Sequence, residues 1–168
     1  MKRLCELSVS TVRSRIPAFS RYPQHTLELM VEIEGEGPQP PLPHDGANLV
    51  AFMSFAVMRG FGAQHPFIAL AERLHGAHRV SLGPFTTFYE ARIDDAEDAA
   101  KLEHAWQDLS PLHASAVAIA RALEGDPQCQ ALVRRAAADG LADEVAALAA
   151  ILSGCEDPNA RVRLSYRL

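Results

Sequence analysis

Residues 26–34 read TLELMVEIE, and apolar residues alternate with polar ones through most of this stretch. Side chains on a β-strand point to opposite faces in turn, so the alternation gathers the apolar residues on one face. That face carries Leu27, Leu29, Val31 and Ile33, and the opposite face carries Glu28, Met30, Glu32 and Glu34. The stretch predicts a strand that is buried on one side and solvated on the other.

The last nine residues, 160–168, read ARVRLSYRL and alternate in the same way. Their apolar face carries Ala160, Val162, Leu164, Tyr166 and Leu168, and the other face carries Arg161, Arg163, Ser165 and Arg167. If the two strands pair, acidic and basic faces become neighbours about 5 Å apart and form ion pairs. The alternative interpretation is that Arg161 and Arg163, with Arg167, form a docking stripe for an acidic partner or a phosphate backbone.

Two weaker strands complete a predicted sheet of three to four strands, mixed or antiparallel. One runs from Arg79 to Ile93 and is interrupted by Gly83-Pro84, because proline removes a hydrogen-bond donor from the ladder. In it, Phe85, Thr87, Tyr89, Ala91 and Ile93 are expected on one face. The other covers residues 5–11, where Cys5, Leu7, Val9 and Thr11 alternate with polar residues.

Helix ends are marked by capping residues and prolines. Asp94 and Glu97 resemble a capping box, and Ala99, Leu102, Trp106 and Leu109 follow at helical spacing up to Ser110-Pro111. Further helices are expected from Ser110-Pro111 to Gly125, from Asp126-Pro127 onward, and from Leu141 to about Gly154. With the helices upstream, this predicts an α+β domain in which about six short helices cover one face of the sheet. It spans residues 1–168, with a proline-rich spacer at 36–45.

The amino-acid composition narrows the kinds of protein that this chain can be. The chain has 168 residues, of which 48% are hydrophobic and 22% charged, as expected for a globular protein with a real core. A net charge of −5 argues against a chain whose main work is to bind nucleic acid. The longest uncharged apolar run, Leu49 to Met58, is far shorter than the roughly 20 residues of a membrane span, and the start of the chain lacks the apolar region of a signal peptide. We therefore expect a cytoplasmic protein that does not enter membranes.

The cysteine and lysine counts add two expectations. Three widely spaced cysteines indicate neither a disulfide framework nor a paired-cysteine metal site. Of the 16 basic residues, only Lys2 and Lys101 are lysines, and the helices are rich in alanine. This composition is typical of a bacterial genome rich in G and C.

No cofactor and no catalytic residue is predicted, because the chain contains no phosphate-binding loop, nucleophile elbow or zinc-protease motif. The candidate metal ligands are His65, His75 and His78, which would bind zinc if the fold gathered them. Histidines at the end of a helix more often interact with the helix dipole. We therefore expect no bound metal.

The segment Leu49 to Met58 is apolar on every side of a helix and must be buried on every side, within the domain or against something else. Phe52, Phe55 and Met58 are thus candidates for the core or for an interface, the latter with a partner or a second copy of the chain. Arg59, Phe61 and His65 follow beside a Gly-Phe-Gly turn and are candidates for a small-ligand pocket.

Two functions remain open from the sequence. The first is a non-catalytic bacterial accessory or regulatory protein that acts by binding another protein. The second is a small-ligand-binding protein or an enzyme with its pocket near Arg59, Phe61 and His65. A concave site around these residues would favour the second, and a broad apolar patch would favour the first.

Overall fold

The computed structural model describes residues 27–56 and 65–168. The strand predicted at residues 5–11 lies outside these ranges, as do Met58, Arg59 and Phe61. The described ranges form an α+β fold of six α-helices and a four-stranded mixed sheet. In chain order the elements are β1 (Glu28–Ile33), α1 (Ala47–Ala56), α2 (Pro66–His78), β2 (Tyr89–Glu90), α3 (Ala96–His104), β3 (Trp106–Asp108), α4 (Leu109–Gly125), α5 (Pro127–Arg135), α6 (Leu141–Ser153) and β4 (Arg161–Arg167).

Strand β4 lies at the centre of the sheet. It pairs with β1 in an antiparallel register on one side, and with parallel β2 and antiparallel β3 on the other. Glu28 lies opposite Arg167, and Glu32 lies opposite Arg163. The pairing of acidic and basic strand faces predicted from the sequence is therefore confirmed.

The strand predicted from Arg79 to Ile93 is wrong over most of its length. The Gly83–Thr86 segment forms a 3-10 turn, and the strand β2 that follows has two residues. Phe85 is buried in the turn, whereas Tyr89 and Ile93 are exposed. The physical reason is Pro84, the second residue of the turn, which cannot donate to a ladder, so that little of the segment reaches β4.

Trp106 also lies in a different element from the one predicted. The helical stripe that began at Ala99 ends with α3 at His104, and Trp106 forms β3 with the two residues after it. Its backbone pairs opposite Arg163, on the side of β4 that faces away from β1. Tertiary pairing with β4 thus replaces a local preference for helix.

The helix ends follow the signals in the sequence closely. Asp95, one residue after the predicted cap Asp94, accepts hydrogen bonds from two backbone amides of α3. Asp126 caps α5 by accepting from the amide of Gln128 at 2.9 Å. Such caps satisfy amides that the first turn of a helix leaves without a partner.

The core lies between the inner face of the sheet and the helices. Val162 and Leu164 of β4 and the apolar residues of β1 belong to the same buried cluster as α1, α2, α4, α5 and α6. Helix α1 contacts α2, α6 and β1, so it is enclosed on several sides. The largest fully buried side chains include Phe52, Phe85, Met53, Ile68 and Ile119.

A proline-rich segment connects β1 to α1 and runs back past β1. It ends in a tight turn at Gly46, which has a φ of +70°. A Cβ atom at this position would lie 2.7 Å from Cβ of Leu29. Only glycine allows this approach, and the approach sets α1 and the proline-rich segment against β1.

Candidate functional site

Strand β1 is an edge of the sheet within the described part of the chain. The amide of Glu34 donates to the carbonyl of Arg161 at 2.9 Å, which makes these two residues a hydrogen-bonded pair of the antiparallel ladder. Because such pairs alternate with non-bonded ones, the N–H and C=O groups of Leu29 and Val31 point away from β4. These backbone donors and acceptors therefore point away from β4, although Leu29 and Val31 themselves are only 2% and 7% exposed.

The proline-rich segment returns beside this edge without closing it. Prolines at 38, 40 and 41 have no N–H to donate. No backbone hydrogen bond between described residues joins this segment to Leu29 or Val31. A groove of about 730 Å³ remains, which we call the β1 groove; residues 28–41 and Trp106 line it.

The outer face of the sheet, which points away from the core, is crossed by ion pairs beside the groove. Arg163 donates to both carboxylate oxygens of Glu32, at 2.7 and 2.9 Å, and Arg167 donates to Glu28 at 2.7 Å. The hydrogen bonds that Arg163 donates to the Glu32 carboxylate raise the pKa of Arg163 above its usual value. Two of the three arginines of the suggested docking stripe are thus occupied by glutamates of the neighbouring strand.

Arg161 is placed differently from the other two arginines. It donates to the carbonyl of Trp106 at 3.2 Å, and its guanidinium carbon lies 6.0 Å from the centre of the Trp106 ring. The guanidinium of Arg163 lies 4.8 Å from the same ring. Glu32, Arg163 and Trp106 therefore form a row across the sheet, in which a half-buried aromatic ring is held by cations.

Sequence patterns did not identify Trp106 as a site residue, because a three-residue strand is too short to show an alternation. The signal present was the rarity of the residue, since this is the single tryptophan of the chain. Tryptophan combines a large apolar surface with one polar group, which suits a partly exposed binding position.

The turn end of the β1 groove is acidic. Glu34 and Glu36 are exposed, and among the described residues neither forms a salt bridge with an arginine or lysine. Gln39 donates to Glu36 at 3.0 Å, which leaves the negative charge in place. One end of the groove thus carries two carboxylates that have no basic partner among the described residues.

The apolar helix α1 is largely internal. Phe52 has 0% exposure and contacts the ring of Phe67 edge-on, with ring centres 5.8 Å apart. Phe55 is half-buried and stacks on His65 at 3.8 Å. Burial within the fold therefore accounts for Phe52, which offers no surface to a partner.

His65 serves as the cap of α2, because its Nδ1 accepts from the amide of Phe67 at 3.2 Å. One face of the imidazole stacks on Phe55 and its Nδ1 is engaged by the cap, so both interactions of His65 are structural. Since Arg59 and Phe61 lie outside the described residues, the pocket suggested by these three residues has no described geometry.

The structure does not bring the three candidate histidines together. His65 precedes α2 and His78 ends it, and a helix of 13 residues is about 20 Å long. His75 is exposed on the last turn of the same helix. A metal site built from these three side chains is therefore ruled out by distance.

His78 instead belongs to a polar cluster between α2 and α5, which we call the Asp126 cluster: Arg73, His78, Asp126 and Cys129. Oδ2 of Asp126 lies 2.6 Å from Nε of Arg73, 2.7 Å from Nε2 of His78 and 3.5 Å from Sγ of Cys129. Within the described ranges, His78, Asp126 and Cys129 are the group whose potential metal-binding atoms all lie within 4.8 Å of one another.

The charges of the Asp126 cluster depend on one another. Hydrogen bonds from Arg73, then from His78, hold the pKa of Asp126 well below its usual range. Burial raises the pKa of the Cys129 thiol to about 11. The thiol is therefore protonated at neutral pH and is a poor nucleophile, because only the thiolate is reactive.

Glu144 is a buried carboxylate on α6 that binds the start of α1. Its Oε2 accepts from the amide of Leu49 at 2.7 Å, and its Oε1 accepts from Nδ2 of Asn48 at 2.6 Å. Negative charge at a helix N-terminus is stabilised by the helix dipole. The carboxylate thus acts as a cap supplied from another helix and is engaged in structure.

No α-helix in the described part of the chain is both long and apolar enough to cross a membrane. No protein-family model, no curated protein and no solved structure matches this chain. The geometry and chemistry of the sites above therefore carry the functional inference.

Proposed function

We propose that this protein is a non-catalytic accessory or regulatory protein of the bacterial cytoplasm, that it acts by binding another protein, and that the partner binds in the β1 groove. The observation that carries this proposal is the backbone of Leu29 and Val31, which points away from β4 beside the β1 groove and has no backbone hydrogen-bond partner among the described residues. An open strand edge is a template for pairing with another extended chain.

The partner presents an extended segment that adds a strand to β1. Leu29 and Val31 each offer one N–H and one C=O, so the added strand gains up to about four main-chain hydrogen bonds. Main-chain bonds supply affinity without specifying sequence, and side chains that point onto the two faces of the sheet supply specificity. One of those faces is the charged outer face that carries Glu32 and Arg163.

The negative charge at the end of the β1 groove indicates which side chains the partner's segment carries. Glu34 and Glu36 at the end of the groove lack basic partners in the described ranges, and the whole chain carries a net charge of −5. A partner with lysine or arginine at alternate positions places opposite charges beside these carboxylates. We therefore propose a basic extended segment.

A second copy of the chain is the disfavoured occupant of this edge. Antiparallel pairing of two β1 strands would add Glu34 and Glu36 of both copies to one sheet. These carboxylates have no basic partner among the described residues, whereas Glu28 and Glu32 are paired with arginines. Like charges opposite each other destabilise a ladder. The acidic edge therefore suppresses self-association through β1 while it attracts a basic segment.

Trp106 lines the groove from across β4 and offers an anchor to partner side chains that lie over the outer face of the sheet. Its ring is half-buried, lines the groove and is held in place by the guanidinium of Arg163 at 4.8 Å. Aromatic residues held in this way often carry a large part of the binding energy of an interface.

An unbiased library of displayed peptides tests the proposal with the purified full chain. Selected peptides should be extended and rich in alternating basic residues. Their binding should slow hydrogen exchange at the amides of Leu29 and Val31. The double variant Glu34→Lys, Glu36→Lys should weaken binding at least about tenfold, as loss of charge complementarity does.

The matched control is the double variant Glu72→Lys, Glu124→Lys, which reverses the charge of two exposed glutamates outside the β1 groove. It should leave peptide affinity within about twofold of the unchanged chain, whereas Trp106→Ala should weaken it by tenfold or more. Failure to select any peptide would overturn the proposal. So would selected peptides that leave exchange at Leu29 and Val31 unchanged, or a chain that elutes as a dimer through this edge.

A further inference from the structure

We propose that His78, Asp126 and Cys129 form a binding site for Zn²⁺ or a similar thiophilic divalent cation, with water as the fourth ligand. Imidazole, carboxylate and thiolate are the ligand types that zinc takes from proteins. The inference is independent of the β1 groove, which these residues do not line.

The donor atoms already have nearly the spacing of a tetrahedral site. Zinc bonds of about 2.0 to 2.3 Å require donor atoms about 3.3 to 3.6 Å apart. Sγ of Cys129 lies 3.5 Å from Oδ2 of Asp126 and 3.9 Å from Nε2 of His78. His78 and Asp126, at 2.7 Å, must separate by about 0.6 Å to admit the ion.

Rigid elements hold the three ligands. Asp126 caps α5 and Cys129 lies three residues later, so both face α2 from one end of the same helix. Both residues are buried, whereas the His78 side chain at the end of α2 is 30% exposed. The exposed imidazole gives the ion a path to solvent and leaves room for a water ligand.

Arg73 supplies the positive charge beside Asp126 in this structure. Its Nε donates to Oδ2 of Asp126 at 2.6 Å, and its side chain is 31% exposed, so it can turn outward. When Zn²⁺ binds, the Cys129 thiol releases its proton to solvent and the new sulfur–metal bond forms. The ion then neutralises the thiolate and the Asp126 carboxylate, as Arg73 neutralised the carboxylate alone.

This site revises the expectation of no metal, which rested on three histidines and on the lack of a paired-cysteine motif. The cluster uses one of those histidines, together with two residues that lie 48 and 51 positions further along the chain. Neither separation belongs to a known short spacing for zinc ligands.

Cobalt(II) titration of the full chain in a Cys5→Ser, Cys155→Ser background is the direct test, because Cys129 is then the single cysteine. We expect one equivalent of Co²⁺ to give the near-ultraviolet thiolate charge-transfer band and visible bands of tetrahedral coordination. Excess Zn²⁺ should remove both. Cys129→Ser and His78→Asn should each abolish the charge-transfer band.

Arg73→Met separates a metal site from a structural polar cluster. Loss of the competing positive charge beside Asp126 should tighten Zn²⁺ binding at least about tenfold. Arg121→Met, on the exposed side of α4, should leave the affinity unchanged. A cluster with a purely structural role would instead lose stability in Arg73→Met without binding any ion.

The proposal is overturned if the unchanged chain binds no Co²⁺ or Zn²⁺, or if the bound cobalt shows no thiolate band. Equal zinc affinity in Arg73→Met would also overturn it. Should Cys129→Ser fail to fold, His78→Asn decides the matter, because His78 lies at the surface end of α2. Retention of the full cobalt spectrum in folded His78→Asn would count against the site.

Discussion

Phe52→Ala should lower the free energy of unfolding by about 3 to 5 kcal/mol, the range found when a buried phenylalanine is truncated in a core. Phe52 is expected at the upper part of this range, because its ring has 0% exposure and packs edge-on against Phe67 at 5.8 Å. The lost ring leaves a cavity between α1 and α2. Neither helix can move to close that cavity, because α1 also packs against α6 and β1, and α2 also packs against α4 and α5.

Phe55→Ala should cost less, about 1 to 2 kcal/mol. Phe55 is half-buried, and its main aromatic partner is His65, stacked at 3.8 Å. An aromatic pair contributes about 0.5 to 1.5 kcal/mol beyond its buried area. Without the stacked ring, the His65 imidazole that caps α2 is held less firmly. The cap is therefore weakened, which adds part of the free energy that complete loss of a cap would cost.

Urea denaturation followed by circular dichroism measures both free energies. Ser54→Ala is the control on the same helix, because Ser54 is exposed and such a substitution changes stability by about 0.5 kcal/mol or less. In thermal unfolding, about 2 to 4 °C per kcal/mol predicts that Phe52→Ala lowers the midpoint by roughly 6 to 20 °C. If Phe52→Ala cost no more than Phe55→Ala, the internal placement of α1 would be refuted.

Four further outcomes are expected. Deletion of residues 160–168 removes the central strand, so circular dichroism should show no cooperative unfolding transition. Glu144→Ala should cost about 2 to 4 kcal/mol, because amides at the start of α1 lose their acceptor. Burial raises the pKa of Glu144 above its usual value, so the folded state holds the carboxyl proton more tightly than the unfolded state does. Protonation of Glu144 therefore stabilises the fold at low pH, and this stabilisation is lost as the pH rises through the pKa of the folded state. The stability advantage of the unchanged chain over Glu144→Gln should therefore be larger at pH 4 than at pH 7. Glu32→Gln should cost about 1 kcal/mol or less, and the difference should shrink in high salt, because Glu32 is 44% exposed.

The two main strands were predictable because their signal is local. A period of two in residues 26–34 and 160–168 specifies which side chains face the core. Those same patterns, placed side by side, predicted that glutamates of the first strand would meet arginines of the last, and Glu32 does meet Arg163 at 2.7 Å. Most helix boundaries were predictable for the same reason, since aspartate and proline act within the first turn of a helix.

Segments with weak or mixed local signals were decided by their neighbours. Trp106 continues an apolar helical stripe, yet it lies in β3 because β4 offers a second edge. At Trp106 a long-range contact outweighed a local preference, which is worth a few tenths of a kcal/mol per residue. The stretch from Arg79 to Ile93 alternates, yet Gly83 and Pro84 start a 3-10 turn, and this local effect leaves two residues of strand.

Alternation and capping in the sequence by themselves determined the fold class, the charged faces of the two main strands and most of the helices, because these depend on residues close together in the chain. The tertiary structure decided both candidate sites. The β1 groove exists because the turn at Gly46 sets a proline-rich segment beside an edge strand, and proline cannot close that edge. The Asp126 cluster joins residues about 50 positions apart on two helices, and no local pattern records a contact that exists only once the two helices pack.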